Sequence, residues 1–253
     1  MSSPLELLSP LDGRYADSTA PLRDHFSEFA YLRNRTRVEL DFLAALSKTG
    51  LTRPLSESES AMLKSLAQDF NLADAEAIQA FEKQTRHDVK AIEYFLREKL
   101  RSTSLNDLLS WLHFGLTSED TNSLGQAIAL KESRDEVVLP NLRSLISHLS
   151  DFALRCKSIP MLARTHGQPA VPTTLGKEIA VYIARLKKAA QEISAYKFRS
   201  QINGRGRQFQ RPASRRPADG LAPIQRGFRF RLWLGAKPRR HPNSPLRQLA
   251  PLF

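Results

Sequence analysis

Two histidines, His87 in "TRHDVKAIEYF" and His166 in "RTHGQPAVPTTLGKE", sit in short polar stretches beside residues able to orient them. Imidazole is the side chain whose unperturbed pKa lies nearest neutrality, so both are candidates to give or take a proton. Between them "GLTSEDTNSL" places two hydroxyls, Thr117 and Ser118, at a break between helices. Each residue also has a purely structural reading. His87 stands where a helix begins, beside Asp88; His166 could bond a backbone carbonyl in a polar loop; Thr117 with Asp120 fits a capping box. His25, His113 and His148 fall within helical stretches and are given no role, and Cys156, on an apolar stripe, reads as core.

The elements that must position these residues read as helix after helix from about 20 to 200, with little of the period-two alternation of strands. The clearest covers 141–156, where Leu142, Leu145, Ile146, Leu149, Phe152, Ala153 and Cys156 recur at spacings of three and four. Similar stripes run over 24–48, ending at Gly50, then 56–70, 88–100 and 174–196. A helical pattern beginning near Ser118 meets Pro140, where a kink or break is expected. The polar stretches fall at the breaks, where side chains can face a ligand.

Composition narrows the function classes. The chain has 253 residues, 41% of them apolar, enough for a substantial core, and its single cysteine excludes an internal disulfide. No run of 18 apolar residues occurs and no signal-like N-terminus, so a cytoplasmic protein without a membrane span is expected. Paired cysteines, H-E-x-x-H spacing and a phosphate-binding glycine loop are all missing, and no metal or cofactor is expected. Of the +12 net charge, +11 lies in residues 204–253, which hold 12 Lys and Arg, one Asp and seven of the 15 prolines. That segment is a different kind of polypeptide from the rest.

In order along the chain, "SPLDGRYAD", "TRHDVKAIEYFLREKL", "HFGLTSEDTNSL" and "RTHGQPAVPTTLGKE" resemble the adenylosuccinate lyase family of the fumarase/aspartase superfamily, over about residues 8–203. The resemblance implies a mainly α fold: an N-terminal helical domain over 1–110 and the start of a long-helix central domain over 111–203. It implies elimination of fumarate from adenylosuccinate, and from the succinylaminoimidazole carboxamide ribotide of purine synthesis, by breaking a C–N bond. His166 would be the general acid. His87 would position substrate and tune the site, with Asp88 orienting His87 or fixing its tautomer. Arg14 and Tyr15 match contacts to the nucleotide phosphate, Arg86, His87 and Asp88 a substrate-binding tripeptide, and Thr117 and Ser118 the residues that hold the succinyl carboxylate. The family builds each site from several subunits of a homotetramer.

The family's base is a serine in a loop reading approximately Gly-Ser-Ser-x-Met-Pro-x-Lys-x-Asn, and no such stretch occurs here. The resemblance continues through "QING", Gln201 to Gly204, and stops at Arg205. There the family reads Ala-Val-Gly-Asn-Phe/Tyr-Asn-Ala. "RGRQFQR", Arg205 to Arg211, can be encoded so that a shift of one base yields Ala-Val-Gly-Asn-Phe-Asn-Ala. Residues 205–253 are therefore expected to be an out-of-frame translation, irregular or disordered, and the chain alone is expected to be inactive. Two other expectations compete with catalysis: association of a fragment with intact lyase subunits, and weak polyanion binding through the basic tail, a specific nucleic-acid partner being disfavoured.

Overall fold

The computed structural model describes residues 7–198, so the expectation for the tail from 205 lies outside the described residues. Its helices begin where side chains satisfy the free amides of a first turn. Ser27 accepts from the Ala30 amide at 3.2 Å and opens α1, Glu28–Leu46. Ser56 and Glu59 form a reciprocal capping box at the start of α2, Glu57–Gln68, and Asn71 with Asp74 does the same for α3, Leu72–Thr85. His87 caps α4, Asp88–Arg101. A 3-10 segment, Asn106–Trp111, then leads toward α5, Ser118–Ser133.

The described residues group into two compact units, the first running to Lys131 and the second covering Glu132–Lys197. In the first unit, Leu32, Leu40 and Leu43 of α1 pack with Ile78 of α3 and with Ile92, Phe95 and Leu96 of α4 to form the main core. Burial of such side chains contributes roughly 1.5–3 kcal/mol each. The buried face of α1 is not wholly apolar. Asn34, Arg35, Thr36 and Glu39 are buried on it as well. Short helical segments at Ala16–Thr19, Ala20–Leu22 and Arg23–Phe26 precede α1.

The second unit opens on a π-helical turn, Arg134–Val138, directly before α6, Leu139–Arg155. Pro140 stands in the first turn of α6, and the kink or break expected at Pro140 is met by a change of helix type just before it, from α5 through the π-helical turn to α6. Ile146 and Ala153 of α6 pack on Ile183 of α7, Leu175–Ala195, with Leu142, Leu149, Ile179 and Leu186 around them. Leu145 and Phe152, counted on the same stripe in the sequence, are exposed at 48% and 40%. Cys156 is buried.

Between α6 and α7 the chain forms two antiparallel strands, β1 (Pro160–Thr165) and β2 (Gln168–Thr174), where the sequence reading places only a polar loop. The pairing runs from Pro160 opposite Thr174 to Thr165 opposite Gln168, with an irregularity between Leu162 and Arg164. Both strands are edges and largely exposed, so prolines at 160, 169 and 172 are tolerated and no hydrophobic alternation is required. Where β2 enters α7, a Cβ on Gly176 would lie 2.5 Å from the Ala153 carbonyl oxygen and 2.7 Å from Lys157 Cα. Only glycine permits that approach.

Candidate active site

The junction between α3 and α4 is two residues long and tightly built. Arg86 ends α3 in the left-handed conformation, φ 51°, which a non-glycine residue adopts only where its surroundings impose it. Thr85 Oγ1 braces the turn, donating to the His87 carbonyl at 3.1 Å and accepting from the His87 amide at 3.3 Å. His87 is then extended, φ −151° and ψ 115°, and its Nδ1 accepts the Lys90 amide at 3.3 Å as the N-cap of α4. An accepting Nδ1 leaves the proton of the neutral ring on Nε2. That nitrogen faces Ser118 Oγ at 3.5 Å, a long contact.

The resemblance gives Asp88 the task of orienting His87 or fixing its tautomer; the group hydrogen-bonded to His87 Nδ1 is the Lys90 amide. Asp88 Oδ1 accepts from the Val89 amide at 2.8 Å and lies 3.5 Å from His87 Nδ1, while Oδ2 pairs with Arg35 Nη2 at 2.7 Å. Burial alone would raise the Asp88 pKa, but the Val89 amide and the Arg35 charge outweigh it and hold the carboxyl below its ordinary value. Thr117 precedes α5, and the Asp120 carboxylate accepts from both its amide and its hydroxyl at 2.8 Å. Half of the expected capping box is thus visible, with Asp120 acting on Thr117. Ser118 and His87 both stand at helix N-termini, whose partial positive charge suits a carboxylate.

One residue without an assigned role is drawn into the same region. His113, at φ 58°, donates Nδ1–H to Glu39 Oε1 at 2.7 Å, and that oxygen also accepts from Thr121 Oγ1 at 3.0 Å. Burial disfavours the charged ring, yet the hydrogen bond and charge of Glu39 prevail and raise the His113 pKa above 6.5. Its sequence signal was its place in "HFGLTSED", the stretch that also carries Thr117 and Ser118.

Arg14, Tyr15 and His166 complete the set of residues singled out in the sequence. Arg14 and Tyr15 lie exposed in a turn held by the Tyr15 amide on the Pro10 carbonyl, and neither shares a hydrogen bond or ion pair with 86–88 or 117–118. His166 belongs to the second unit. With Gly167 it forms the two-residue tip of the β1–β2 hairpin; φ is 51° and 76° at the two positions, both positive as a type I′ turn demands. Its ring is exposed and makes no hydrogen bond among the described residues. No group of three or more potential metal ligands occurs among the described residues, and no helix there is long and apolar enough to cross a membrane.

Comparison with known proteins gives a consistent frame. Residues 13–206 match a family model described as lyase. Adenylosuccinate lyase of Haemophilus influenzae is 44% identical over 206 residues, covering 80% of this chain and 45% of that protein. The Escherichia coli K12 enzyme is 39% identical over 206 residues with the same coverage, and that of Dictyostelium discoideum 42% identical over 190 residues, covering 72% and 41%. The chain therefore spans under half the length of these relatives. Among solved structures, 3-carboxy-cis,cis-muconate lactonizing enzyme of Pseudomonas putida superposes with a TM-score of 0.57 at 22% identity, over 73% of this chain and 42% of that one. Fumarate lyase of Mesorhizobium sp. BNC1 gives 0.56 at 19%, over 69% and 39%. At those identities the likeness is one of fold.

Proposed function

The chain belongs to the lyase family through residues 13–206, and from that premise we propose that it carries one part of an adenylosuccinate lyase active site. The reaction breaks the C–N bond of adenylosuccinate to release AMP and fumarate, and cleaves the related carboxamide ribotide in the same way. The observation that carries the proposal is the pairing of His87 Nε2 with Ser118 Oγ at two helix N-termini, in a chain 39–44% identical to adenylosuccinate lyases.

In this reading Thr117 and Ser118 bind a succinyl carboxylate, helped by the positive ends of α4 and α5. His87 offers Nε2–H as a donor, and Asp88 holds the first turn of α4. Arg14 and Tyr15, exposed and uncommitted, take the nucleotide phosphate, and Arg86 supplies a further cation. His166 protonates the departing nitrogen as the general acid. A free ring at a hairpin tip suits a group that works against another subunit of a homotetramer. The proton beside the carboxylate falls to a serine base that these 253 residues do not include. No cofactor enters the scheme, and a cytoplasmic setting suits the single buried thiol.

The test is a mixing experiment. The purified chain is combined with H. influenzae adenylosuccinate lyase whose own general-acid histidine has been replaced, and fumarate release from adenylosuccinate is followed. Turnover in the mixture, absent from either component and lost with His166→Asn in this chain, supports the proposal. Co-assembled but inactive mixtures would falsify it. A second reading, a fragment that only associates with lyase subunits, is favoured by the exposed Leu145, Phe152, Val181 and Tyr182 on α6 and α7. Co-assembly without turnover is its signature.

A further inference from the structure

Helix α1 buries two charged side chains one turn apart, Arg35 at 4% exposure and Glu39 at 1%. Charged groups so placed are retained at a cost in desolvation, and well-packed apolar residues commonly serve stability as well or better. These two are not even fully satisfied, since Arg35 Nε and Glu39 Oε2 have no hydrogen-bond partner among the described residues. Their satisfied atoms point elsewhere than to each other.

Arg35 reaches one site stretch and Glu39 the other. The Arg35 guanidinium lies 3.7 Å from the centre of the Tyr31 ring and donates from Nη2 to Asp88 Oδ2 at 2.7 Å, on the first turn of α4. Its stem runs beside α5, where a Cβ on Gly125 would meet Arg35 Cγ at 3.6 Å. Glu39 Oε1 takes the hydrogens of His113 and of Thr121, the latter one turn along α5 from Thr117 and Ser118. A rigid helix therefore grips, through adjacent turns, both segments whose relative placement decides whether His87 meets Ser118.

We propose that Arg35 and Glu39 are positioning residues that fix the register between the His87–Asp88 turn and the Thr117–Thr121 turn, so that His87 Nε2 faces Ser118 Oγ. The relevance of that register to substrate rests on the lyase reading; the register itself does not. Neither side chain touches the reacting groups in this scheme. Arg35 acts through Asp88, and Glu39 through Thr121 and His113. The guanidinium's flat fork, clamped by Tyr31, is what sets the direction of the Asp88 carboxylate, a geometry that a lysine ammonium does not reproduce.

The experiment uses the full chain, isotopically labelled, as wild type and as Arg35→Lys, Asp88→Asn and Glu39→Gln. Circular dichroism first identifies a temperature at which each variant keeps wild-type helicity. Ring-nitrogen correlations of His87, cross-relaxation between the His87 ring and the Ser118 methylene, and exchange of the Lys90 amide are then recorded. Wild type is expected to show the Nε2–H tautomer in the neutral form of the ring and a His87–Ser118 cross-peak. Arg35→Lys and Asp88→Asn are expected to mix the two tautomers, to speed Lys90 exchange about tenfold, and to lose the cross-peak. Glu39→Gln is expected to lose the cross-peak while leaving the tautomer, because its grip is on α5.

Folded variants that keep the cross-peak overturn the proposal. Should Arg35→Lys not retain helicity at any temperature, Asp88→Asn reads the same link from its exposed end. No substrate is present, so a negative result here leaves the lyase reading standing. An inactive mixture in the turnover experiment, conversely, removes the lyase reading and leaves the register intact.

Discussion

At the scale of single residues, the contact between His113 and Glu39 carries a pH dependence with a definite sign. A histidine whose folded pKa is raised stabilises the fold fully below its unfolded value of 6.5, and that stabilisation is lost as pH rises through the higher folded value. The His113 ring signals should therefore titrate above 6.5 in wild type. In Glu39→Gln the midpoint should fall, since burial then acts on the ring with only the more weakly acting Glu93 carboxylate to oppose it; an unchanged midpoint would show that the contact does not persist in solution. Residue type alone could not distinguish this histidine from His25 or His148. Arg35 and Glu39 were equally hidden, because a polar residue in a helical pattern is assigned to the solvent face, and only tertiary placement shows that these face inward. Asp88 is a site candidate from its motif, but its commitment to Arg35, 53 positions earlier in the chain, is a long-range fact no local pattern contains.

At the scale of elements, the Arg53 side chain clamps the start of α2 to the 3-10 segment that follows α4. It donates to both oxygens of Glu59, at 2.9 Å each, and to both oxygens of Asp107, at 2.7 and 2.9 Å. The Arg53 hydrogen bonds, with the Ser56 amide, hold Glu59 at about 2, against 4.5 for a free glutamate. A depressed carboxylate stabilises the fold above its unfolded pKa, so this contribution is present above 4.5 and disappears as pH falls toward 2. Arg53→Met should flatten that part of the acid-stability profile, measured by thermal melting at successive pH values. An identical profile in wild type and variant would refute the clamp. In the second unit, Gly176→Ala places a methyl group against the Ala153 carbonyl and should cost roughly 1–3 kcal/mol, read by denaturant unfolding.

Helices α1, α2, α4, α6 and α7 are legible because their apolar residues recur with helical spacing, with Gly50 following the first of them and Ser56 capping the second. Helix α3 escaped notice although Asn71 and Asp74 formed a readable capping box, since Ala73, Ala75, Ala77 and Ala80 spread small apolar residues around its circumference and blur any stripe. The β1–β2 hairpin was illegible for a different reason. Its strands are exposed on most positions and contain three prolines, so neither alternation nor composition marks them, and only the His166–Gly167 pair, suited to two positive φ values, hints at the turn.

At the scale of the whole molecule, similarity to the lyase family ends at residue 206, under halfway through the adenylosuccinate lyases it matches, while this chain runs on for 47 residues. The charge changes at the same place, with +11 of the +12 lying from residue 204 onward. Two independent changes at one point in the chain fit a change of reading frame better than an added basic module, because arginine and proline are what GC-rich codons yield when read out of register. The prediction concerns nucleotides. A fresh read across the codons for Asn203 to Arg211 should give triplets that, displaced by one base after Gly204, spell Ala-Val-Gly-Asn-Phe-Asn-Ala. Codons for Arg205 to Arg211 that spell nothing family-like in the displaced frame would sink the idea and make the basic segment a feature to be explained by what it binds. If the displaced frame does continue the family, restoring it by removal of one base should supply the family's serine loop, and fumarate release should then appear from this one kind of chain with no second protein added.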